Sequence, residues 1–418
     1  PRAPTTCGVR AGPPNTHALV DHNTVCVVGT SYDASVPRYT AAAEIGSMGE
    51  NYVVSGSGLF LGPTGSPATV AGPVSLRTVN QYNGLYAMDT FNVTEAFAIT
   101  GGGRFNVARI TLEDQLGTDL NGDHTFTRFN PVIGGTYKIT PELTAYAGYS
   151  EANRVPTPLE LGCADPARPC LIAAFLVSDP PLKQVVSTTI EAGVRGTREL
   201  NIGTLAGKFG GLRATNYDDI VAVPAVGRTG FGYFSNVGRT RRQGLEAEVN
   251  IKSPTLQFQA SYAFVDARYL DACELGAESP FRDPLTETIQ VAPGNQLPAI
   301  PRHRVKVGID YAVTDVWKVG GNALFVSSQY FVGDESNQYS KLPSYTVFNL
   351  HTSYQVAKNI QLYGRVDNVF DRRYATYGQF FDREALPNFT NGGNDFTDPR
   401  SLSPARPRAL YAGMRVTF

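Results

Sequence analysis

The sequence predicts an all-β fold, namely a transmembrane antiparallel β-barrel of the outer-membrane type with short periplasmic turns and long extracellular loops. Three observations predict this fold class. Polar and apolar residues alternate over long stretches, the links between these stretches are short and long in turn, and no apolar run is long enough for a membrane-spanning helix.

The composition disfavours a chain of soluble α/β domains. Of the 418 residues 17% are charged, below the roughly 25% of an average soluble domain, while 42 Gly, 21 Tyr and 22 Phe are present. The longest apolar run, residues 170–177, falls short of the about 20 residues that a membrane-spanning helix needs. The net charge of −1 provides no basic excess for a nucleic-acid partner, so none is predicted.

The alternation predicts the strands. Residues 256–264 place Leu, Phe, Ala and Tyr on one face and mainly Gln and Ser on the other, and residues 304–311 set Val, Ile and Tyr against Arg, Lys and Asp. Successive side chains of a strand point to opposite faces, so each such segment predicts a strand with one apolar and one polar face. The pattern gives about thirteen strands from Gln81 onward and one more near 27–44.

The links between the strands separate a membrane barrel from soluble β folds. Short links are predicted at 92–94, 138–142, 196–199, 253–255, 313–315 and 357–359, and long links at 111–127, 151–185, 214–232, 269–301, 329–344 and 371–407. This asymmetry is typical of outer-membrane barrels, whereas a β-sandwich or β-propeller would have evenly short loops and a polar outer face. The last strand, 410–418, is apolar on one face and closes on Phe418, which also favours a barrel.

The chain is divided at residue 80. Residues 1–80 are expected to form the N-terminal part of the barrel region with its loops, and residues 81–418 the barrel. Cys163 and Cys170 enclose a short, Pro-stiffened loop that suits a disulfide in an oxidising compartment. Cys7 and Cys26 could form a second disulfide, which leaves Cys273 over, and the absence of a Cys-x-x-Cys motif argues against zinc.

Four segments resemble TonB-dependent outer-membrane receptors. Asn368-Val369-Phe370-Asp371, followed by Tyr374, resembles the Asn-x-Phe-Asp-x-x-Tyr segment of that family, and residues 407–418 resemble its last strand. Residues 233–246 resemble its Asn-Val-Gly…Gly-x-Glu strand, and residues 146–158 resemble its Tyr-Ser-x-x-x-Arg-x-Pro segment. The resemblance covers residues from about 140 to 418, with the segments in the family's order.

The resemblance implies a location in the bacterial outer membrane, in contact with its lipid, and uptake of a scarce nutrient, most often a ferric siderophore. It also implies coupling to the TonB complex of the inner membrane through a plug domain. Family members have about twenty-two strands around that plug. Neither a plug nor its TonB-binding segment is recognised, so the chain resembles the C-terminal part of such a barrel. The alternatives are a plug-free, porin-like diffusion channel and a surface receptor that uses only its loops.

The candidate site residues follow from the loops and the polar faces. Aromatic residues of the long loops are the ligand-binding candidates, namely Tyr330, Tyr339, Tyr377, Phe380 and Phe381. Charged residues of the polar faces are candidates for lumen or plug contacts, namely Glu246, Glu248, Arg304, Lys306, Arg365 and Asp367. For the aromatic residues the alternative is a place in the membrane-interface girdle or packing within the loops, and for the charged residues it is cross-strand ion pairing. No catalytic motif is recognised, and no enzyme activity, cofactor or metal site is predicted.

Overall fold

The computed structural model describes residues 28–41, 47–48, 54–55, 74–115, 117–118, 121–162, 170–171, 182–224, 231–277, 279–380 and 398–417. The candidate residues Cys7, Cys26, Cys163 and Phe381 lie outside these ranges. Among the described residues, the helices are too short or too polar to cross a membrane.

One antiparallel sheet of fourteen strands dominates the protein, and each strand pairs with the next strand of this sheet along the chain. Its strands are β1 (Val28–Ala41), β4 (Val74–Asn92), β5 (Phe97–Asp114), β6 (Gly122–Thr140), β7 (Leu143–Arg154), β9 (Val185–Leu200), β10 (Gly203–Tyr217), β13 (Thr240–Lys252), β14 (Leu256–Tyr269), β17 (His303–Ala312), β18 (Trp317–Val326), β19 (Tyr345–Ala357), β20 (Ile360–Asp367) and β23 (Ala409–Val416).

The remaining elements are short and lie in the long connections. They are β2 (Ser47–Met48), β3 (Val54–Ser55), the helix α1 (Pro158–Leu161), β8 (Cys170–Leu171), β11 (Ile220–Pro224), β12 (Phe231–Asn236), β15 (Cys273–Gly276), β16 (Thr288–Val291), β21 (Ala375–Phe380) and β22 (Arg400–Pro404). The short strands pair with one another in sheets of two or three strands.

The predicted strand pattern is confirmed, but several of its boundaries are wrong; the link predicted at 214–232, for example, runs from 218 to 239 between β10 and β13. The sheet has the predicted number of strands, and β1 occupies the segment predicted near 27–44. The loop predicted at 111–127 is much shorter, because β5 continues to Asp114 and β6 begins at Gly122. Arg109 of β5 and Asp123 of β6 form an ion pair between the two strands. The turn predicted at 196–199 lies at 201–202, because β9 and β10 pair until Leu200.

The apolar face of the sheet is exposed. Large side chains on this face include Phe209 at 52%, Leu245 at 44% and Ile309 at 48% exposure. A contiguous apolar surface of this kind is unfavourable in water and fits contact with lipid. The fold is therefore the predicted membrane β-barrel, and the lipid covers this face.

The connections alternate along the whole sheet, so that one rim has tight turns and the other has the loops. Among the described strands, turns of a few residues join β4 to β5, β6 to β7, β9 to β10, β13 to β14, β17 to β18 and β19 to β20, while the other connections are longer. In an antiparallel meander such an alternation puts all long connections at one rim. We call this the loop rim.

Two asparagines of the family-like segments organise the loop rim. Asn368 is buried in a left-handed conformation, accepts a hydrogen bond from the Arg372 N–H (2.8 Å) and donates to the carbonyl oxygens of Arg372 and Arg406. Asn236 donates from Nδ2 to the carbonyl oxygen of Asp218 (2.7 Å). Asparagine tolerates positive φ and bonds the local backbone, which explains its use at these bends.

Candidate functional site

A row of charged side chains crosses the polar face of the sheet. Arg195 of β9 lies opposite Lys208 of β10, Lys208 opposite Glu248 of β13, and Glu248 opposite Ser261 of β14, which faces Lys306 of β17. Lys208 Nζ and Glu248 Oε2 are 3.0 Å apart. Directly opposed residues share a face, so the row brings positive and negative side chains together across neighbouring strands.

Four of the predicted lumen residues meet in one cleft beside this row. Glu246 and Arg304 both lie opposite Ala263, one on each side of β14. Together with Glu248 and Lys306 they line a cleft on the polar face. The sequence analysis missed Lys208, which joins them there, although the apolar Leu205 and Phe209 of the same strand indicate that Lys208 lies on the polar face.

The other two predicted lumen residues form a separate group. Arg365 donates from Nε to Asp367 Oδ1 (2.6 Å), and Arg365 lies opposite His351 of β19. His351 Nε2 is 2.5 Å from Asp310 Oδ1, although β18 lies between their strands. Gly320 of β18 permits this contact, because a Cβ atom there would overlap both side chains.

Loop residues pack over the polar face at the loop rim. Ala267 and Tyr269 of β14 lie in one buried cluster with Val223 of β11, Leu275 of β15 and Ile289 of β16. By strict alternation along β14, Ala267 and Tyr269 are on the same face as Ala263. The long connections after β10 and β14 are therefore folded inward, onto the polar side of the sheet.

The connection after β7 docks in the same way. Leu161 of α1 and Leu182 form a buried cluster with Leu76 of β4 and Ile110 of β5. The start of α1 is fixed by a capping box, in which the Thr157 hydroxyl accepts from the Glu160 N–H and the Glu160 carboxylate accepts from the Thr157 N–H.

Two of the predicted ligand-binding aromatics belong to an aromatic cluster between two long loops. Phe331 stacks on Phe380 with ring centroids 5.4 Å apart, and Tyr339 meets the edge of Phe380 at 5.1 Å. Phe331 and Phe380 are buried, whereas Tyr339 is partly exposed. Phe380 therefore packs between the loops, and Tyr339 offers part of its ring to solvent.

The remaining aromatic candidates are more accessible. Tyr377 is 37% exposed and donates from its hydroxyl to Gln379 (3.2 Å). Tyr330 is partly exposed beneath Lys341, whose Nζ lies 4.4 Å from the ring centroid. These two rings and Tyr339 are the described aromatic candidates that a ligand could touch without rearrangement.

A buried aspartate shapes the same loop. Asp334 is fully buried, and its carboxylate oxygens accept from the N–H groups of Gln338 (2.9 Å) and Tyr339 (3.0 Å). Burial raises the pKa of the Asp334 carboxyl, and these hydrogen bonds offset the effect only in part. Asn337 connects this loop, which follows β18, to the loop that follows β14 through hydrogen bonds with the backbone of Gln296.

The described residues do not test the predicted disulfide of Cys163 with Cys170. Cys170 lies in β8, which pairs with β12, and Cys163 is outside the described ranges. Cys273, the cysteine left over by the predicted pairing, is a free thiol in β15.

The family described as TonB dependent receptor-like, beta-barrel matches residues 17–369 of the chain. Among curated proteins, the metal-pseudopaline receptor CntO of Pseudomonas aeruginosa UCBPP-PA14 is 26% identical over 61% of this chain and 31% of its own length. The vitamin B12 transporter BtuB of Photobacterium profundum is 23% identical over 65% of this chain and 38% of its own length.

A solved structure has the same fold. The closed form of the ferric-catecholate import receptor Fiu from Escherichia coli K12 superposes with a TM-score of 0.60 at 17% identity, covering 95% of this chain and 51% of that one. The chain thus covers 31% to 51% of the length of these proteins.

Proposed function

Because the chain belongs to the TonB-dependent receptor family, whose members are bacterial outer-membrane proteins and not enzymes, we propose that it is the barrel part of an uptake receptor for a scarce nutrient. The proposed ligand is a ferric siderophore or a similar metal chelate. The metal-pseudopaline receptor among its relatives supports a chelate, while the vitamin B12 transporter shows that relatives also carry other large nutrients.

The observation that carries the proposal is the aromatic cluster at the loop rim. Phe331, Phe380 and Tyr339 hold two loops together, and Tyr330 and Tyr377 present accessible rings beside them. Rigid aromatic surfaces bind flat, aromatic or chelated ligands at low entropic cost, because few side-chain torsions are ordered on binding.

The polar face supports coupling to a plug domain. Mixed charges such as Lys208, Glu248, Arg304 and Lys306 have free hydrogen-bonding capacity toward the lumen and could contact a polar domain inside the barrel. We propose that the whole protein has such a plug and that the TonB complex acts on it, so that a bound ligand passes only when energy is supplied.

The test uses cells that express the whole protein. Binding and uptake of radioactive iron are measured with ferric complexes of catecholate, hydroxamate and carboxylate siderophores, with and without an active TonB complex. We expect binding in both cases, uptake only with active TonB, and weaker binding in Tyr377→Ala. The matched control is Tyr354→Ala, which removes a 49% exposed tyrosine from the lipid-facing side.

Absence of binding of every chelate would refute the proposed ligand class. Uptake that continues without TonB, together with a steady ion current in planar bilayers, would refute the plugged receptor and support a passive channel.

A further inference from the structure

Four arginines lie at the loop rim on or next to the lipid-facing side of the sheet. Arg213 of β10 is opposite Ile190 and Gln243, and Arg241 of β13 is opposite Arg268 of β14. Ile190 is 59% exposed on the apolar face, and opposed residues share a face. Arg302 directly precedes β17 and lies beside the Asp266 carboxylate, as Arg268 does. We call Arg213, Arg241, Arg268 and Arg302 the arginine patch.

The arginine patch borders the apolar band. Leu245, two residues from Gln243 on the same face of β13, is 44% exposed, and Tyr262 of β14 is 37% exposed. Arg302 also lies over the Phe264 ring, at 5.3 Å from its centroid. The lipid-facing side of the sheet therefore changes from apolar side chains to guanidinium groups at the loop rim, which is the depth of the lipid headgroups.

Within the described ranges, the positive charge of the patch exceeds the negative charge that contacts it. Asp266 is buried and accepts from Arg268 Nε at 2.8 Å, with Arg302 at 3.5 Å. Neither Arg213 nor Arg241 has a hydrogen bond or ion pair within the described ranges, and the Nε atoms of Arg241 and Arg302 are buried without an acceptor. Among the described residues, Arg268 and Arg302 thus share the Asp266 carboxylate, and Arg213 and Arg241 have no carboxylate partner.

The opposite sector of the same face shows what a balanced rim looks like. Arg77 of β4 pairs with Glu113 of β5 at 2.8 Å, and Arg109 of β5 pairs with Asp123 of β6. Each arginine there has its own carboxylate on a neighbouring strand. The excess positive charge is therefore specific to the β10–β17 sector and is not a general property of the rim.

We propose that the arginine patch binds the phosphate groups of a lipid headgroup in the membrane leaflet at the loop rim. The planar guanidinium group donates two parallel hydrogen bonds to phosphate, and guanidinium groups next to exposed apolar side chains suit a ligand that has both phosphates and acyl chains. Because the patch borders the lipid-facing band, its occupant is a component of the membrane rather than a soluble anion. This inference is independent of the transported ligand.

The test measures lipid binding to the whole protein, extracted in detergent and freed of native lipid. The probes are lipid A, a diphosphorylated acylated disaccharide, and the same lipid without phosphates, and retained lipid is quantified by native mass spectrometry. We expect preferential binding of the phosphorylated form, and a loss of about tenfold or more in the double variant Arg213→Gln, Arg241→Gln. The matched control, Arg109→Gln in the balanced sector, should bind as the wild type does.

Three results would overturn the proposal. The first is a wild type that binds both lipids equally or binds neither. The second is a double variant that binds the phosphorylated lipid as tightly as the wild type does. The third is a control variant that loses as much affinity as the double variant. The heat-dependent gel shift shows whether each variant is folded. Since phosphate selectivity is measured on the wild type as well, the proposal is decided even if the double variant does not fold.

Discussion

Phe331 is the central side chain of the aromatic cluster, and its truncation gives a sharp prediction. The ring is 2% exposed, stacks on Phe380 and lies against Gly378, where no Cβ could fit. Replacing a buried Phe by Ala costs about 3–5 kcal/mol. The substitution should destabilise the contact between the connections after β18 and β20, because the packed neighbours of Phe331 belong to those connections.

Two backbone amides report on that contact. The Val332 N–H donates to the Gly378 carbonyl (3.0 Å) and the Phe380 N–H donates to the Val332 carbonyl (2.9 Å). If Phe331→Ala lowers the opening free energy by the full amount, hydrogen exchange at these amides accelerates roughly 150-fold to 4000-fold, up to the limit set by the stability of the loop contact itself. Amides of the barrel strands should exchange at unchanged rates.

The control is Phe370→Ala, which lies in the connection after β20, as Phe380 does, but is 74% exposed. It should leave the exchange of the Val332 and Phe380 amides unchanged. If Phe331→Ala also leaves both amides within about threefold of the wild-type rate, which is below about 1 kcal/mol, the cluster does not hold the loops together and our reasoning is refuted.

Three further predictions concern the sheet, one loop and the cysteines. Gly210→Ala should lower the temperature of the heat-dependent gel shift by overpacking worth about 1–3 kcal/mol, because its Cβ would lie 2.7 Å from the Tyr146 hydroxyl, and Tyr146→Phe should relieve much of it. The folded-state pKa of Asp334 is raised by burial, so the loop should lose stability as the pH rises through that pKa and gain it on acidification, and exchange protection that increases with pH would contradict this. Reduction of a Cys163–Cys170 disulfide should loosen its loop but leave the gel shift intact, and loss of the shift would contradict the prediction.

The strands were predictable because their pattern is local. Each strand has an apolar and a polar face that can be read in its own sequence, so alternation alone located strands such as β14 and β17. The lengths of the links between the strands followed from these positions. The β5–β6 connection was overestimated because Gly122 and Asp123 look like loop residues until the register places Asp123 opposite Thr111 and within reach of Arg109.

The grouping of the candidate residues depended on register. Glu246, Glu248, Arg304 and Lys306 were predicted on one face, but their meeting in a single cleft follows from the pairing of β13, β14 and β17. A shift of one residue in any of these pairings would have moved a whole strand's charges to the lipid face.

The sequence by itself determined the fold class, the approximate number of long strands in this chain, the two faces and, through short segments such as that around Asn368, the family. Only the tertiary structure decided that Phe380 packs inside a loop cluster while Tyr377 is accessible, and that Arg109 has a carboxylate partner while Arg213 and Arg241 have none among the described residues. The physical reason is that alternation is a property of consecutive residues. Burial in a loop and compensation of a charge are set by residues far apart in the chain, which register and loop docking bring together.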